Sequence, residues 1–298
     1  MSDDQSDGVP QDEHEIAPAD RMVDKSYDQL EVERHGRVAV IRLNRPRYRN
    51  AQSRVLLEEM NDAFASADND TSIRAIVLCG AGEHFSAGHD LGTPEEVSDR
   101  DTLPFGPGTM GRINRSWHLM IDSSLRWRDV KKPTIAAVQG YCIFGGYLVA
   151  SCMDLIIAAD DAKFLPAHLQ LFTAPWDLGI RKAKQILFEN RFIHAPEALD
   201  LGLVCEVVPR EQLMDAAIAQ AQKFAENDPI TLRMLKQSIN GAQDAMGYRN
   251  AVQAAHSSYM MLELAGAVRA KRDADPTERR LGGVALALEK EKQNDSKS

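Results

Sequence analysis

Several features are scarce in this sequence, and each scarcity closes off a class of protein. There are only four cysteines, Cys79, Cys142, Cys152 and Cys205, each within or beside an apolar stretch and without CxxC spacing or a paired Cys/His pattern. This excludes a disulfide framework, offers no metal site and suits reduced, buried thiols in a cytoplasmic protein. No run approaches the roughly 20 apolar residues that cross a bilayer, and the first residues show no basic flank leading into an apolar run. Neither membrane insertion nor secretion is therefore expected. Positive charge is also short, with 35 basic against 44 acidic residues and a net charge of -9. That balance provides no basic field for nucleic acid or an anionic membrane, so a polyanionic ligand has to be met by local Lys and Arg.

What the chain does have is length and apolar content. With 298 residues and 44% hydrophobic composition, it can bury one large core, or one core with a smaller helical appendage. Residues 1–24 are acidic and almost without large apolar side chains, which predicts a disordered acidic tail. From 25 to 210, short β-rich runs alternate with helical patterns. Val38–Leu43, Ala75–Leu78, Thr134–Val138, Leu155–Ala158 and Val204–Val208 read as strands, and their near-continuous apolar character suits sheets covered by helices. Ser53–Ala67, Trp117–Leu125 and Ile180–Phe188 repeat apolar residues at spacings of three and four, as helices do. An α/β fold follows. From 211 to 270 the strand signals stop and a helical C-terminal region is expected. Residues 271–298 form a second polar tail, with an apolar run at Val284–Leu288 that suits one docking helix.

Two glycine-bearing loops carry the chemistry. His84-Phe85-Ser86-Ala87-Gly88-His89-Asp90-Leu91 follows the strand Ala75–Leu78, and a small residue beside a glycine lets a ligand approach the backbone closely. Gln139-Gly140-Tyr141-Cys142-Ile143-Phe144-Gly145-Gly146-Tyr147-Leu148 follows Thr134–Val138 and leads into a helix, where free N–H groups point at an incoming anion. Either loop alone is explained by turn sterics.

Their combination, together with Arg45-Pro46…Asn50-Ala51, Lys132-Pro133-Thr134 running into Gly145-Gly146, Asp154-Leu155, Ala162-Lys163-Phe164 and Leu201-Gly202-Leu203-Val204, resembles the crotonase, or enoyl-CoA hydratase/isomerase, superfamily over roughly residues 27–270. The resemblance implies a spiral core of repeated ββα turns and a helical C-terminal region that supports a homotrimer or a dimer of trimers. It also implies an acyl-CoA thioester as ligand, with coenzyme A as part of the substrate and no separate cofactor. The thioester oxygen is then expected between the N–H groups of Ala87 and Gly145. Such preorganised donors hold developing negative charge without reorganisation.

The sequence departs from the family at the acid–base groups. The two glutamates with which the family's hydratases add water match Leu148 and His168 here. Leu148 cannot exchange protons. His168 can, since imidazole titrates near neutrality, and it is a candidate acid or base, a core histidine being the alternative. Asp177 is a second catalytic candidate because relatives in the superfamily place a working aspartate in this turn, displaced by one residue; a helix-capping role is weighed equally. His118 and Asp122, four apart, share a helix face and fit solvated or cap-like roles better.

Around these, Arg45, Arg47 and Arg49 crowd the turn before Asn50-Ala51, where the family holds the CoA adenine and phosphates, and guanidinium suits phosphate oxygens. Ser86, His89 and Asp90 border the thioester by chain continuity; His89 is read as a pocket residue without a proton-transfer role and Asp90 as a loop anchor. Tyr141, Phe144, Tyr147 and Trp176 are expected to wall the acyl group, with Leu148 beside them, although aromatics at such places are core residues as often. The leading expectation is an enzyme acting on an atypical acyl-CoA by hydration, isomerisation or C–C cleavage. Hydrolysis or substitution through Asp177 or Asp122, and a non-catalytic acyl-CoA binder, are the alternatives.

Overall fold

The computed structural model describes residues 25–166, 169–272 and 283–295. The acidic stretch 1–24 and His168 lie outside the described residues. Six strands form the principal sheet in the order β1-β2-β3-β4-β6-β9: β1 (Leu30–His35), β2 (Val38–Leu43), β3 (Ala75–Gly80), β4 (Thr134–Val138), β6 (Leu155–Ala159) and β9 (Glu206–Val208). Only β1 and β2 pair antiparallel; every other neighbour is parallel.

The near-continuous apolar runs have a direct cause. Successive strand residues face opposite sides, and both sides are covered. Val38, Val40, Ala75 and Val77 pack under Leu213, Ala217 and Ala221 of α9 (Leu213–Ala225). Ala39, Ile41, Ile76 and Leu78 point the other way, into the main core with Leu56, Met60 and Phe64 of α1 (Arg54–Asn69). α1 starts where Ser53 accepts the Leu56 N–H on its hydroxyl at 3.1 Å, which replaces one bond the helix start lacks.

A second, three-stranded sheet comprises β5 (Tyr141–Ile143), β7 (Lys163–Leu165) and β8 (Ile193–His194), in the order β5-β7-β8. Helix α12 (Gly283–Asp295) packs on it, with Ala287 buried against Ile143, Leu165 and Phe192 and Glu291 paired to Lys163 at 2.9 Å. The stretch 271–298 is therefore not polar tail throughout. α9, α10 (Pro229–Ala245) and α11 (Tyr248–Arg272) follow β9 without further strands. Between α3 (Gly108–Ser116) and α4 (Ser123–Arg128) the chain makes a π-helical turn over Trp117–Asp122, a feature that recurs at functional sites. Among the described residues no helix is long and apolar enough to cross a membrane.

Candidate active site

The site grows from three loops that leave the carboxyl ends of β2, β3 and β5, the edge of a parallel sheet where ligand crevices form. Backbone bonds lace them together. The Ala87 N–H donates to the Arg49 carbonyl at 2.9 Å, the Gln52 N–H to the Gly88 carbonyl at 2.8 Å, and the Asp90 N–H to the Gln52 carbonyl at 2.9 Å. On the other side the Ser86 N–H donates to the Tyr141 carbonyl and the Ile143 N–H to the Ser86 carbonyl, both at 3.0 Å. The middle loop is thus held between its two neighbours.

Side chains complete the lacing. The Arg45 guanidinium is buried and donates to Asp90 Oδ2 at 2.9 Å, to the Ala51 carbonyl at 2.5 Å and to Thr93 Oγ1 at 3.3 Å. Burial opposes ionisation of Asp90, but the Thr93 hydroxyl and N–H, the Arg45 guanidinium and the Gly92 N–H outweigh it and hold the carboxyl below its ordinary range. Asp90 is a loop anchor, as the sequence indicates. Arg45 is not a phosphate ligand, which corrects the expectation: its donors face inward. Arg47 and Arg49 of the same turn are exposed. The Ser86 hydroxyl is likewise engaged internally, donating to the Asn50 carbonyl at 2.7 Å and accepting the Gly88 N–H at 3.2 Å, and the residue is fully buried.

This lacing decides which backbone donors are available. Among the described residues, every N–H from Ser86 to Asp90 has an acceptor except that of His89, and the Gly145 N–H has none. Ala87, expected to supply one half of the pair, donates to the Arg49 carbonyl, and the N–H left without an acceptor in this loop is that of His89. The residue between, Gly88, has φ +91°, and a Cβ there would lie 2.8 Å from the Ile143 carbonyl and 3.2 Å from the Gly145 nitrogen. A Cβ on Gly145 would meet Gln52 Oε1 at 2.4 Å and the His89 ring at 2.7 Å, and one on Gly146 would meet the Ser86 carbonyl at 2.6 Å. Glycine is needed at Gly88 and Gly146, where a Cβ would meet backbone, whereas at Gly145 it would meet the ends of the Gln52 and His89 side chains.

The His89 side chain lies against the same point. Its Nε2 is 2.8 Å from Gln170 Oε1, and Gln170 Nε2 donates to the Tyr259 hydroxyl on α11 at 3.1 Å. Burial pushes the imidazole down to about 4, the bond to Gln170 opposing and the Arg115 charge adding. Among the described residues, His89 Nδ1 and both polar atoms of the Gln52 carboxamide are buried without a partner. Gln52, Gln170 and Tyr259 have no sequence signal of their own, since 81 and 89 residues separate the members of this chain of contacts.

Other expected residues lie elsewhere. Tyr141 stacks between His84 and Phe192, and with Phe144 it packs on the cluster of the small sheet. Phe144 is held at φ 45°, ψ -99°, a strained position for a residue with a Cβ. Leu148 is buried in the main core. Trp176 meets Tyr248 edge-on at 5.7 Å. Trp176 and Asp177 border a cavity of about 220 Å³ with Ser151, Asp154 and Cys205. Asp177 is the last residue of α6 (Ala174–Asp177), and the cap of the next helix, α7 (Ile180–Glu189), is Gly179. Asp177 is thus not an N-cap residue, but it stands in the first turn of α6, where an acidic side chain suits the helix start. Its Oδ2 accepts the Tyr147 hydroxyl at 2.9 Å and the Thr173 hydroxyl at 2.6 Å, and burial raises its pKa to about 6 against the pull of those two bonds. His118 stacks on Phe105 within the π-helical turn, and its carbonyl accepts the Ser123 N–H and hydroxyl.

Two backbone N–H groups, of His89 and Gly145, lie without an acceptor among the described residues on loops at the carboxyl ends of strands, with glycines packed beside them. The chain belongs to the enoyl-CoA hydratase/isomerase family, whose model matches residues 33–263. It is 34% identical over 266 residues to EchA13 of Mycobacterium tuberculosis, provisionally named an enoyl-CoA hydratase, covering 80% of this chain and 83% of that one. It is also 34% identical over 220 residues to a short-chain-enoyl-CoA hydratase of Clostridium acetobutylicum, covering 70% and 80%. The crystal structure of an enoyl-CoA hydratase/isomerase from Xanthobacter autotrophicus Py2 superposes with a TM-score of 0.72 at 29% identity, over 83% of this chain and 94% of that one. The mixed α/β architecture is thus the crotonase fold.

Proposed function

We propose that this protein binds an acyl-CoA thioester and stabilises its enolate between the N–H groups of His89 and Gly145, turning over an atypical acyl-CoA by hydration, isomerisation or C–C cleavage. The observation that carries the reading is that the N–H groups of His89 and Gly145 have no acceptor among the described residues, while those of Ala87, Gly88, Asp90 and Phe144 do. Deprotonating or attacking a thioester moves charge onto its oxygen, and one preorganised donor of this kind contributes roughly 2.7–4 kcal/mol to a barrier. An atypical acyl group follows from Leu148: a buried aliphatic side chain stands where the hydratases of the family keep a glutamate, so the water-holding pair is absent. Arg47 and Arg49, exposed on the turn after β2, suit the CoA phosphates. A homotrimer or dimer of trimers is proposed on the family resemblance, and the buried thiols suit the cytoplasm.

The test is spectroscopic. A conjugated thioester such as cinnamoyl-CoA absorbs at longer wavelength when its carbonyl is polarised, so binding to the protein should red-shift its band. Gly145→Ala, whose Cβ would meet Gln52 and His89, should abolish the shift. A parent protein that binds cinnamoyl-CoA without any shift would remove the two-donor reading.

A further inference from the structure

The missing glutamates leave the site without an evident group to move a proton. We propose that the His89 imidazole is that group: its Nδ1 takes the proton from the carbon beside the thioester carbonyl, the Gln52 carboxamide hydrogen-bonds a polar group of the ligand next to it, and Gln170 and Tyr259 are positioning residues. This rests on the acyl-CoA reading above and deepens it.

Three observations converge. The first is the tautomer. Gln170 Oε1 lies 2.8 Å from His89 Nε2 while Gln170 Nε2 donates to the Tyr259 hydroxyl, and in this amide orientation His89 Nε2 faces an acceptor. A neutral ring facing an acceptor with Nε2 carries its hydrogen there and keeps the lone pair on Nδ1. The second is the lack of a partner for that lone pair among the described residues. Within them Nδ1 and both ends of the Gln52 carboxamide are buried with no hydrogen bond, and Gln52 is 3% exposed. Buried polar groups are paired in nearly all proteins, and exceptions cluster where a ligand or a catalytic step supplies the partner. The third is place. Gln52 Oε1, His89 Cε1 and His89 Nδ1 lie 2.4, 2.7 and 2.8 Å from one point, the position of a Cβ on Gly145. The unpaired base and the unpaired amide therefore converge on the residue that supplies one donor to the thioester oxygen. Burial keeps the ring neutral at pH 7, with its pKa near 4 in the free protein, and an enolate forming beside it favours the protonated ring.

The step balances within these groups. The C–H bond breaks, its electron pair becomes the enolate double bond, and the carbonyl π pair moves to the oxygen held by the His89 and Gly145 N–H groups. The proton ends on His89 Nδ1. Return of a proton from Nδ1 to carbon reverses the step, and in D2O exchange of the Nδ1 hydrogen with solvent places deuterium on carbon.

This gives a test that needs no knowledge of the natural acyl group. The full chain is incubated with butyryl-CoA in D2O and loss of the α-proton signals is followed by NMR, beside the cinnamoyl-CoA shift. The parent protein should exchange. His89→Ala and His89→Gln keep the backbone N–H, so both should retain the red shift while exchange falls by roughly 10²–10⁴-fold. Gln52→Leu should slow exchange. In protein labelled with 15N-histidine, the His89 ring should be the Nε2–H tautomer, and Gln170→Leu or Tyr259→Phe should mix the tautomers, a change that loss of packing alone would not produce. A red shift without exchange in the parent, or wild-type exchange in folded His89→Gln, overturns the proposal but leaves the thioester reading standing. Absence of both signals removes the thioester reading as well. Loss of exchange in Asp177→Asn with normal exchange in His89→Ala assigns the proton to Asp177 instead.

Discussion

Asp177 carries a pH signature that can be read without substrate. Its carboxyl is shifted from 3.8 to about 6, first by burial, so the folded state binds this proton more tightly than the unfolded state does. Stability from this group is therefore greatest below about pH 4, falls as pH rises towards 6 and stays reduced above it. The loss is at most about 3 kcal/mol, and less because the side chain is partly open to solvent. Asp177→Asn should flatten this part of the profile, which thermal melts between pH 4 and 8 would reveal; a profile as steep as the parent's would show that the aspartate is not its source. At the same scale, the sequence shows the loop around Gly88 but not its donors. The direction of each N–H is set by φ and ψ, and the left-handed turn at Gly88 is what separates an engaged Ala87 from an uncommitted His89. Residue identity shows that a backbone approach happens here, and not which amide makes it.

Elements are more legible than donors because their signals are periodic. Val38–Leu43 and Thr134–Val138 stand where their apolar runs predict, since both faces of the sheet are covered. β1 has no apolar run and carries the other strand signal, Leu30 and Val32 alternating with Glu31 and Glu33 at a sheet edge, over too few residues to stand out. The strands of the small sheet have three residues or fewer, too short to carry a period. The π-helical turn at Trp117–Asp122 is also invisible, because one wide turn hardly disturbs helical spacing. The start of α1 offers a test at this scale. Ser53 accepts the Leu56 N–H and donates to Gln29 at 2.5 Å, so Ser53→Ala should lower stability by about 0.5–2 kcal/mol. Urea denaturation would measure it, and an unchanged midpoint would show that the cap is dispensable.

For the whole molecule, exposed apolar side chains on one helix are informative. Ile230, Met234, Leu235 and Ile239 recur along α10 at helical spacing and are 70%, 47%, 53% and 68% exposed. Such a stripe on a surface helix is a candidate for contact between copies. The protein should therefore sediment at three or six times the 33.0 kDa chain mass, and Ile239→Lys should shift it towards smaller species. Sedimentation of the parent as a single chain would dispose of the assembly. The laced loops, finally, bear on how such a protein can change over generations. In the proposed function the atoms that hold negative charge belong to the backbone, and their spacing depends on close-packed glycines and on bonds between main chains. The side chains of Gln52 and His89 converge beside Gly145 and Gln170 contacts His89, but they do little of the lacing. A Cβ at Gly88 or Gly146 collides with backbone, whereas variants at 52, 89 and 170 should fold and still bind a thioester. The site thus has a fixed part and a rewritable part, and a lineage that lost its glutamates could keep its grip on coenzyme A esters while it tried out other reactions.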